Sequence, residues 1–185
     1  MSKYYTRSGD DGSTRIISGE KILKDSKIIN AIGDVDELNS SIGIAIFYVR
    51  DDPQIRSELK GIQNTLFSIG ASLASSLNKT EPEKFIVGRE DVERLEESIE
   101  RMNGKLPELK KFVLPGGSEP SAHLHFSRSL ARRAERSVVG AAGEFKIDQN
   151  VIKYLNRLSS YLFVAALYIN FVNGIDESNP VYKND

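Results

Sequence analysis

Five apolar stripes, each repeating at spacings of four and three, constrain this chain more than any other feature. Between 53 and 77 the stripe is Ile55, Leu59, Ile62, Leu66, Ile69, Leu73 and Ser76. Such spacing keeps one side of an α-helix apolar and forms the seam by which helices pack into bundles. Residues 27–50 repeat it with Ile28, Ile32, Val35, Asn39, Ile42, Ile46 and Val49, and Asp25 is placed to cap the start. Residues 88–103 carry Val92, Leu95, Ile99 and Met102, stopped by Asn103-Gly104. A fourth segment, 119–141, opens at Ser118-Glu119-Pro120. The fifth, 148–173, carries Val151, Leu155, Leu158, Leu162, Ala165, Ile169 and Val172, with Asp148 as N-cap and Asn173-Gly174 as stop. Short connections and no convincing alternating strand predict an all-α, antiparallel five-helix bundle. One domain of 185 residues accommodates it: an ordered arm over 1–26, the bundle over 27–173, a polar tail over 174–185.

Composition removes whole classes of chemistry. With no cysteine there is no disulfide scaffold, thiolate zinc site, iron–sulfur cluster or thiol nucleophile, which fits a reducing cytoplasm. Two histidines, His123 and His125, cannot make a multi-histidine metal centre, and two apart they point to different faces of a helix. We expect neither to be a ligand. A net charge of −1 excludes a globally basic nucleic-acid binder. The polar N-terminus lacks a secretory run, and no stretch of about 18 apolar residues suggests a membrane span.

Charge is concentrated on the fourth helix. At 100° per residue, Arg128, Arg132 and Glu135 fall within about 60° of one another, with Arg136 beside them. Such a stripe is either a solvated face or a clamp for a polyanion, since arginine's forked donors match phosphate oxygens. The segment Thr6-Arg7-Ser8-Gly9-Asp10-Asp11-Gly12-Ser13-Thr14-Arg15 could cradle phosphates on backbone N–H groups or be a simple turn. It is not a P-loop, and Lys24 adds a point charge nearby. Phe112-Val113-Leu114-Pro115-Gly116-Gly117 is either a structured loop or a plug on the bundle end. On the last helix Asn156 and Phe163, seven apart, share a line with Lys153 and Ser160 that could grip a flat ligand or meet a subunit. In Gly33-Asp34-Val35-Asp36-Glu37-Leu38-Asn39, Asp36 adjoins the apolar seam and is a candidate for a paired, partly buried carboxylate.

Six blocks in this order resemble the PduO-type ATP:cob(I)alamin adenosyltransferases: Tyr5 to Thr14, Lys24-Asp25, Gly33 to Ser40, Phe112 to Ser118, Arg128 to Arg136, and Tyr154-Leu155-Asn156-Arg157-Leu158-Ser159. The resemblance implies a five-helix, ferritin-like bundle assembling as a homotrimer with active sites between subunits. It implies transfer of the 5′-deoxyadenosyl group of ATP to cob(I)alamin, giving adenosylcobalamin and triphosphate. By matching positions, Thr6, Arg7, Ser8, Gly9, Thr14, Arg15 and Lys24 would line the ATP phosphates. Arg132, Glu135, Arg136 and Asn156 would complete the ATP site, and Arg128 would pair with Asp36 across the interface. Phe112 and Phe163 would face the corrin. Asp36, Phe112, Arg128 and Arg132 are thus the catalytic candidates. No protein metal ligand is implied; Mg2+ would ride on the triphosphate. A reductase and an adenosylcobalamin-dependent client enzyme are the implied partners, with no nucleic acid and no membrane. Ser160 stands where many relatives have Asp, and His123 and His125 occupy a stretch often more apolar.

The chemistry agrees with the residues: cob(I)alamin is itself the nucleophile, so no serine, cysteine or general base is required. Two other functions use a helical bundle of this kind. The same pocket could hold and deliver adenosylcobalamin without turnover. A carboxylate-bridged di-metal bundle needs Glu-x-x-His, which does not occur in this chain.

Overall fold

The computed structural model describes residues 4, 7, 9–15, 19–77 and 86–182. After a short ribbon, β1 (Ser13–Arg15) and β2 (Lys21–Leu23), come α1 (Lys27–Tyr48), α2 (Pro53–Ser76), α3 (Arg89–Asn103), α4 (Glu119–Ala141) and α5 (Gln149–Val172). The helices fall where the apolar stripes predict them, to within two residues at each end.

Each start has a local cause. Asp52 accepts from the Ile55 N–H at 2.9 Å, with Pro53 in the first turn where a missing N–H costs nothing. Asp148 accepts from the Asn150 N–H at 2.8 Å. Helix α1 corrects its predicted cap: Ser26, not Asp25, is the N-cap, and its side chain makes no capping bond. Asp25 serves through its backbone carbonyl, which accepts from Asn30 Nδ2 at 2.9 Å. The arm also differs from the strandless expectation. β1 and β2 pair antiparallel, with Thr14 opposite Ile22. The alternation was too short, at three residues a strand, to register as a period-two pattern.

Helix α1 packs on α4 and α2, α4 on α5, and α5 on α3. Helix α5, sandwiched by α4 and α3, is buried nearly all round from Tyr161 to Asn170. By length and composition it would suffice to cross a membrane, yet most of it is buried inside the bundle. Helices α2 and α3 flank a cleft with Tyr154 and Tyr161 in its wall. Glu58 ties its walls, accepting from Arg101 at 2.8 Å and from the Tyr161 hydroxyl at 2.9 Å. Burial, reinforced by the Glu58 charge, holds the Tyr161 phenol well above its usual pKa.

The seam makes a paired prediction on α2. Leu66 is fully buried, whereas its neighbour Phe67 is 72% exposed. Leu66→Ala is expected to cost about 2–5 kcal/mol in urea unfolding. Phe67→Ala should stay within about 0.5 kcal/mol. Equal losses would mean that the seam is misplaced.

Candidate active site

Helices α4 and α5 run antiparallel, and two cross-helix contacts mark their register. Asn156 Nδ2 donates to Glu135 Oε1 at 2.9 Å. Seven residues away on each helix, the Arg128 guanidinium carbon lies 5.9 Å from the Phe163 ring centre. Seven residues are two helical turns, so the polar and aromatic rungs stand about 10 Å apart along one groove. Asn156 and Phe163 therefore share one line of α5, as their spacing predicts, and that line faces Glu135 and Arg128 on α4. Arg132 and Arg136 are exposed on α4 beside it, as is Ser160 on α5.

Arg128 is half-buried, and its Nε has no hydrogen-bond partner. Burial, then the charge of Arg132, lowers its pKa, though a guanidinium stays protonated. A half-buried cation with a second cation beside it creates a local demand for negative charge. The α1 acids do not meet that demand within the chain. Asp34 pairs with Arg133 at 3.2 Å and accepts from the Ser137 hydroxyl, and Glu37 takes the other side of the same guanidinium. Within the single chain Asp36 is exposed, and Asp34 is the half-buried, paired acid of this segment. The reason is angular: Asp34 and Glu37, three apart, both face α4, whereas Asp36 lies about 160° and about 100° around the helix from them and points to solvent. On the exposed side of α1, Phe47 lies nearly in line with Asp36 and Ile44 about 80° round from it, at 59% and 46% exposure.

The Phe112 loop leaves its ring 82% exposed. Its backbone is fixed instead, with the Phe112 carbonyl accepting from Asn179 Nδ2 at 2.8 Å. A groove of about 460 Å³ opens between α5, the segment after α3 and the chain beyond α5. Leu106, Leu109, Phe163, Leu167, Phe171 and Ile175 are among its walls. Apart from Phe163, sequence reasoning missed these residues, because apolar positions at a bundle end look like core. The tail was read as merely polar, yet Ile175 and Glu177 line this groove.

In the arm, Lys24 Nζ donates to the Gly9 carbonyl at 2.8 Å, and the Lys24 N–H to the Gly12 carbonyl at 3.0 Å. A Cβ on Gly9 would crowd Lys24 Nζ at 3.1 Å, so the close approach favours glycine. Arg7 is exposed with φ 60°, in the left-handed region that non-glycine residues seldom adopt. Asp11 accepts from Lys21 at 2.7 Å and from the Ser13 hydroxyl and N–H, which holds its carboxyl well below the usual range. Thr14 is half-buried in β1, while Arg15 donates to the Gly19 carbonyl at 3.1 Å. Thr6 and Ser8 lie outside the described residues. β1 and β2 pair with each other, and Ile22 of β2 packs against the bundle core. Among the described residues, no group of three His, Cys, Asp or Glu is placed to hold a metal ion.

The match to known proteins covers these features together. The family described as Cobalamin adenosyltransferase matches residues 4–169. The corrinoid adenosyltransferase of Bacillus subtilis (strain 168) is 41% identical over 178 residues, 95% of this chain and 90% of that protein. The human corrinoid adenosyltransferase MMAB is 39% identical over 190 residues, 100% of this chain and 75% of that one. Among solved structures, a variant PduO-type ATP:corrinoid adenosyltransferase from Lactobacillus reuteri, complexed with cobalamin and ATP, superposes with a TM-score of 0.85 at 36% identity. That alignment covers 98% of this chain and 100% of the other. This chain belongs to the cobalamin adenosyltransferase family.

The two histidines diverge in the structure. His123 stacks on Tyr48 with ring centres 4.4 Å apart. His125 is 2% exposed beside Phe163, and neither ring nitrogen has a partner. Burial, then the Arg128 charge, pushes its pKa from 6.5 down to about 4. The unfolded chain therefore takes up this proton before the native one does. Stability is expected to fall as pH drops from 6.5 toward 4, and this contribution levels off below that. His125→Leu should flatten the dependence by up to about 3 kcal/mol in denaturant titrations at several pH values across that window. An unchanged pH profile would show that the buried imidazole is not the titrating group.

Proposed function

We propose that this protein transfers the 5′-deoxyadenosyl group of ATP to the cobalt of cob(I)alamin, releasing adenosylcobalamin and triphosphate. It is a corrinoid adenosyltransferase. The observation that carries the residue assignment is the α4–α5 ladder, a polar rung at Glu135 and Asn156 and an aromatic rung at Phe163 in one groove.

In this reading Glu135 and Asn156 bind the nucleoside end of ATP, while Arg132 and Arg136 face its phosphates. The arm residues Thr6, Arg7, Ser8, Gly9, Thr14, Arg15 and Lys24 close over the triphosphate from a second subunit. The corrin lies against Phe163 and the apolar groove, and Phe112 covers the lower face of cobalt. Cobalt(I) attacks C5′ in line, the C5′–O bond breaks, and its electron pair leaves on triphosphate. The protein holds the reactants in line and stabilises charge growing on the leaving group. Mg2+ neutralises part of that charge when bound. With no carboxylate cage among the described residues, phosphate and water oxygens are its natural ligands. An apolar ring over the lower face displaces the axial ligand and leaves four-coordinate cobalt, which is easier to reduce.

The shared-site arrangement is a homotrimer. Its support is the exposure of Asp36, Ile44 and Phe47 on α1. Asp36 of one subunit meeting Arg128 of the next would satisfy a cation left unpaired by its own chain. The single chain is one catalytic domain, placed in the cytoplasm and served by a reductase and an adenosylcobalamin-dependent client enzyme.

Turnover with ATP, Mg2+, cob(II)alamin and a strong reductant tests this reading directly. Arg132→Ala is expected to lower transfer by about two to three orders of magnitude, the usual loss of one preorganised donor. Circular dichroism should stay helical, because alanine is the better helix former. A rate within twofold of wild type would return this arginine to a solvated face. For the shared site, Asp36→Asn and Arg128→Ala should each impair activity, and the double variant should be little worse than either. Additive losses, or a monomer mass by light scattering at micromolar concentration, would remove the intersubunit pair.

A further inference from the structure

Asn170 is the polar exception in the buried half of α5. It is fully buried, and every donor and acceptor of its carboxamide is used. Its Oδ1 accepts from the Ser118 N–H and the Ser118 hydroxyl, both at 3.0 Å. Its Nδ2 donates to the Gly116 carbonyl at 3.2 Å and to Glu177 Oε1 at 3.0 Å. One side chain thus grips the Leu-Pro-Gly-Gly-Ser loop and the chain after α5 together. The loop is shaped to receive it: Gly117 sits at φ +96°, and a Cβ there would overlap the Asn170 carboxamide. Two further bonds lace loop to tail, Leu114 N–H to the Ser178 carbonyl at 2.7 Å and Asn179 Nδ2 to the Phe112 carbonyl at 2.8 Å.

We infer that Asn170 is a positioning residue for Phe112, setting the direction of that ring through the loop and tail it clamps. The argument turns on exposure. The Phe112 ring is 82% exposed, so packing does not hold it. Its direction is inherited from the backbone, and that backbone is tied at 112, 114, 116 and 118 to the tail and to Asn170. A buried amide is a poor choice for stability alone, since a well-packed apolar residue is often as good or better. What the amide adds is a unique loop geometry, because its four bonds are satisfied in only one arrangement. The inference rests on the proposed corrinoid reading, in which Phe112 must meet the lower face of cobalt at a fixed angle.

Three variants test it. Asn170→Asp keeps the shape and Oδ1 but loses both Nδ2 donors and sets a carboxylate against Glu177. Gly117→Ala attacks the clamp from the exposed loop without altering α5. Asn170→Asp combined with Glu177→Gln restores a donor–acceptor pair to the tail. Hydrogen exchange at the Leu114 and Ser118 amides should quicken about tenfold in the first two, with α1 and α2 unchanged. With ATP and cob(II)alamin, the four-coordinate Co(II) signal should fall about fivefold or more, the scale of one or two lost hydrogen bonds. ATP affinity should stay within about twofold, and the double variant should recover part of the signal. Unchanged exchange at Leu114 and Ser118 would show that no clamp exists. A wild-type signal left intact by Asn170→Asp, but lost in a parallel Phe112→Ala sample, would overturn the positioning role alone. A wild-type protein with no four-coordinate signal would overturn the corrinoid reading, and the role with it.

Discussion

The antiparallel packing of α4 on α5 is the constraint on which the rest depends. Its buried side is built from residues with little freedom to move, Leu124, Ala131, Ala134 and Val138 against Leu155, Leu158, Leu162 and Ala165. Alanines at the seam let the two backbones approach closely, and close-packed interiors do not deform continuously. A shift of one residue in this register would separate Glu135 from Asn156 and Arg128 from Phe163 at the same time. The spacing between the polar and aromatic ends of the groove is therefore fixed by core packing rather than by contacts in the groove itself.

Electrostatics then divides four arginines that look equivalent in sequence. Arg133 points at α1, where Asp34 and Glu37 neutralise it and Ser137 completes the cluster. It welds α1 to α4 and is a structural cation. Arg128 is pressed toward Phe163 and the neutral His125. Arg132 and Arg136 face water, where they can hold an anion without first surrendering a partner. One helix thus supplies both the fastening and the receptive charge, and only the angle about its axis separates the two roles. The neutrality of His125 matters here: a protonated imidazole beside Arg128 would add like-charge repulsion inside the bundle.

How much of this was legible in the sequence depends on range. Helix positions were readable because the apolar stripe is local and repeats every turn. The Arg128–Arg132–Glu135 stripe and the Asn156–Phe163 line were readable because each lies on one regular helix whose faces can be counted, whereas the contact between the two helices was not. Which of the α1 acids faces α4 was not legible, because adjacency to the seam does not say which flank turns inward. Asp25 and Ser26 were confused because either could cap, and only the backbone path decides. The ribbon escaped notice through brevity. Asn170 was invisible for a deeper reason: its four bonds reach loop and tail segments up to 54 residues away, with no periodicity to reveal them. The arm's phosphate-binding residues and the trimer are implied by family resemblance, since a polar Gly-rich stretch reads equally well as a turn.

The titrating groups give the same division of labour a chemical meaning. Tyr154 and Tyr161 are held protonated by burial, His125 is held neutral, and no cysteine is present. None of these groups is poised near neutral pH to donate or abstract a proton. An attack by cobalt(I) on C5′ needs no such transfer, since the bond that breaks leaves its pair on an anion. What the reaction requires is alignment over about one ångström and fixed positive charge where the anion develops. In the proposed reading a rigid α4–α5 ladder supplies the first, and Arg132 and Arg136 the second. The mobile chemistry of the site is thereby left to its substrates, and the protein's part is geometry held by a core that tolerates no slip.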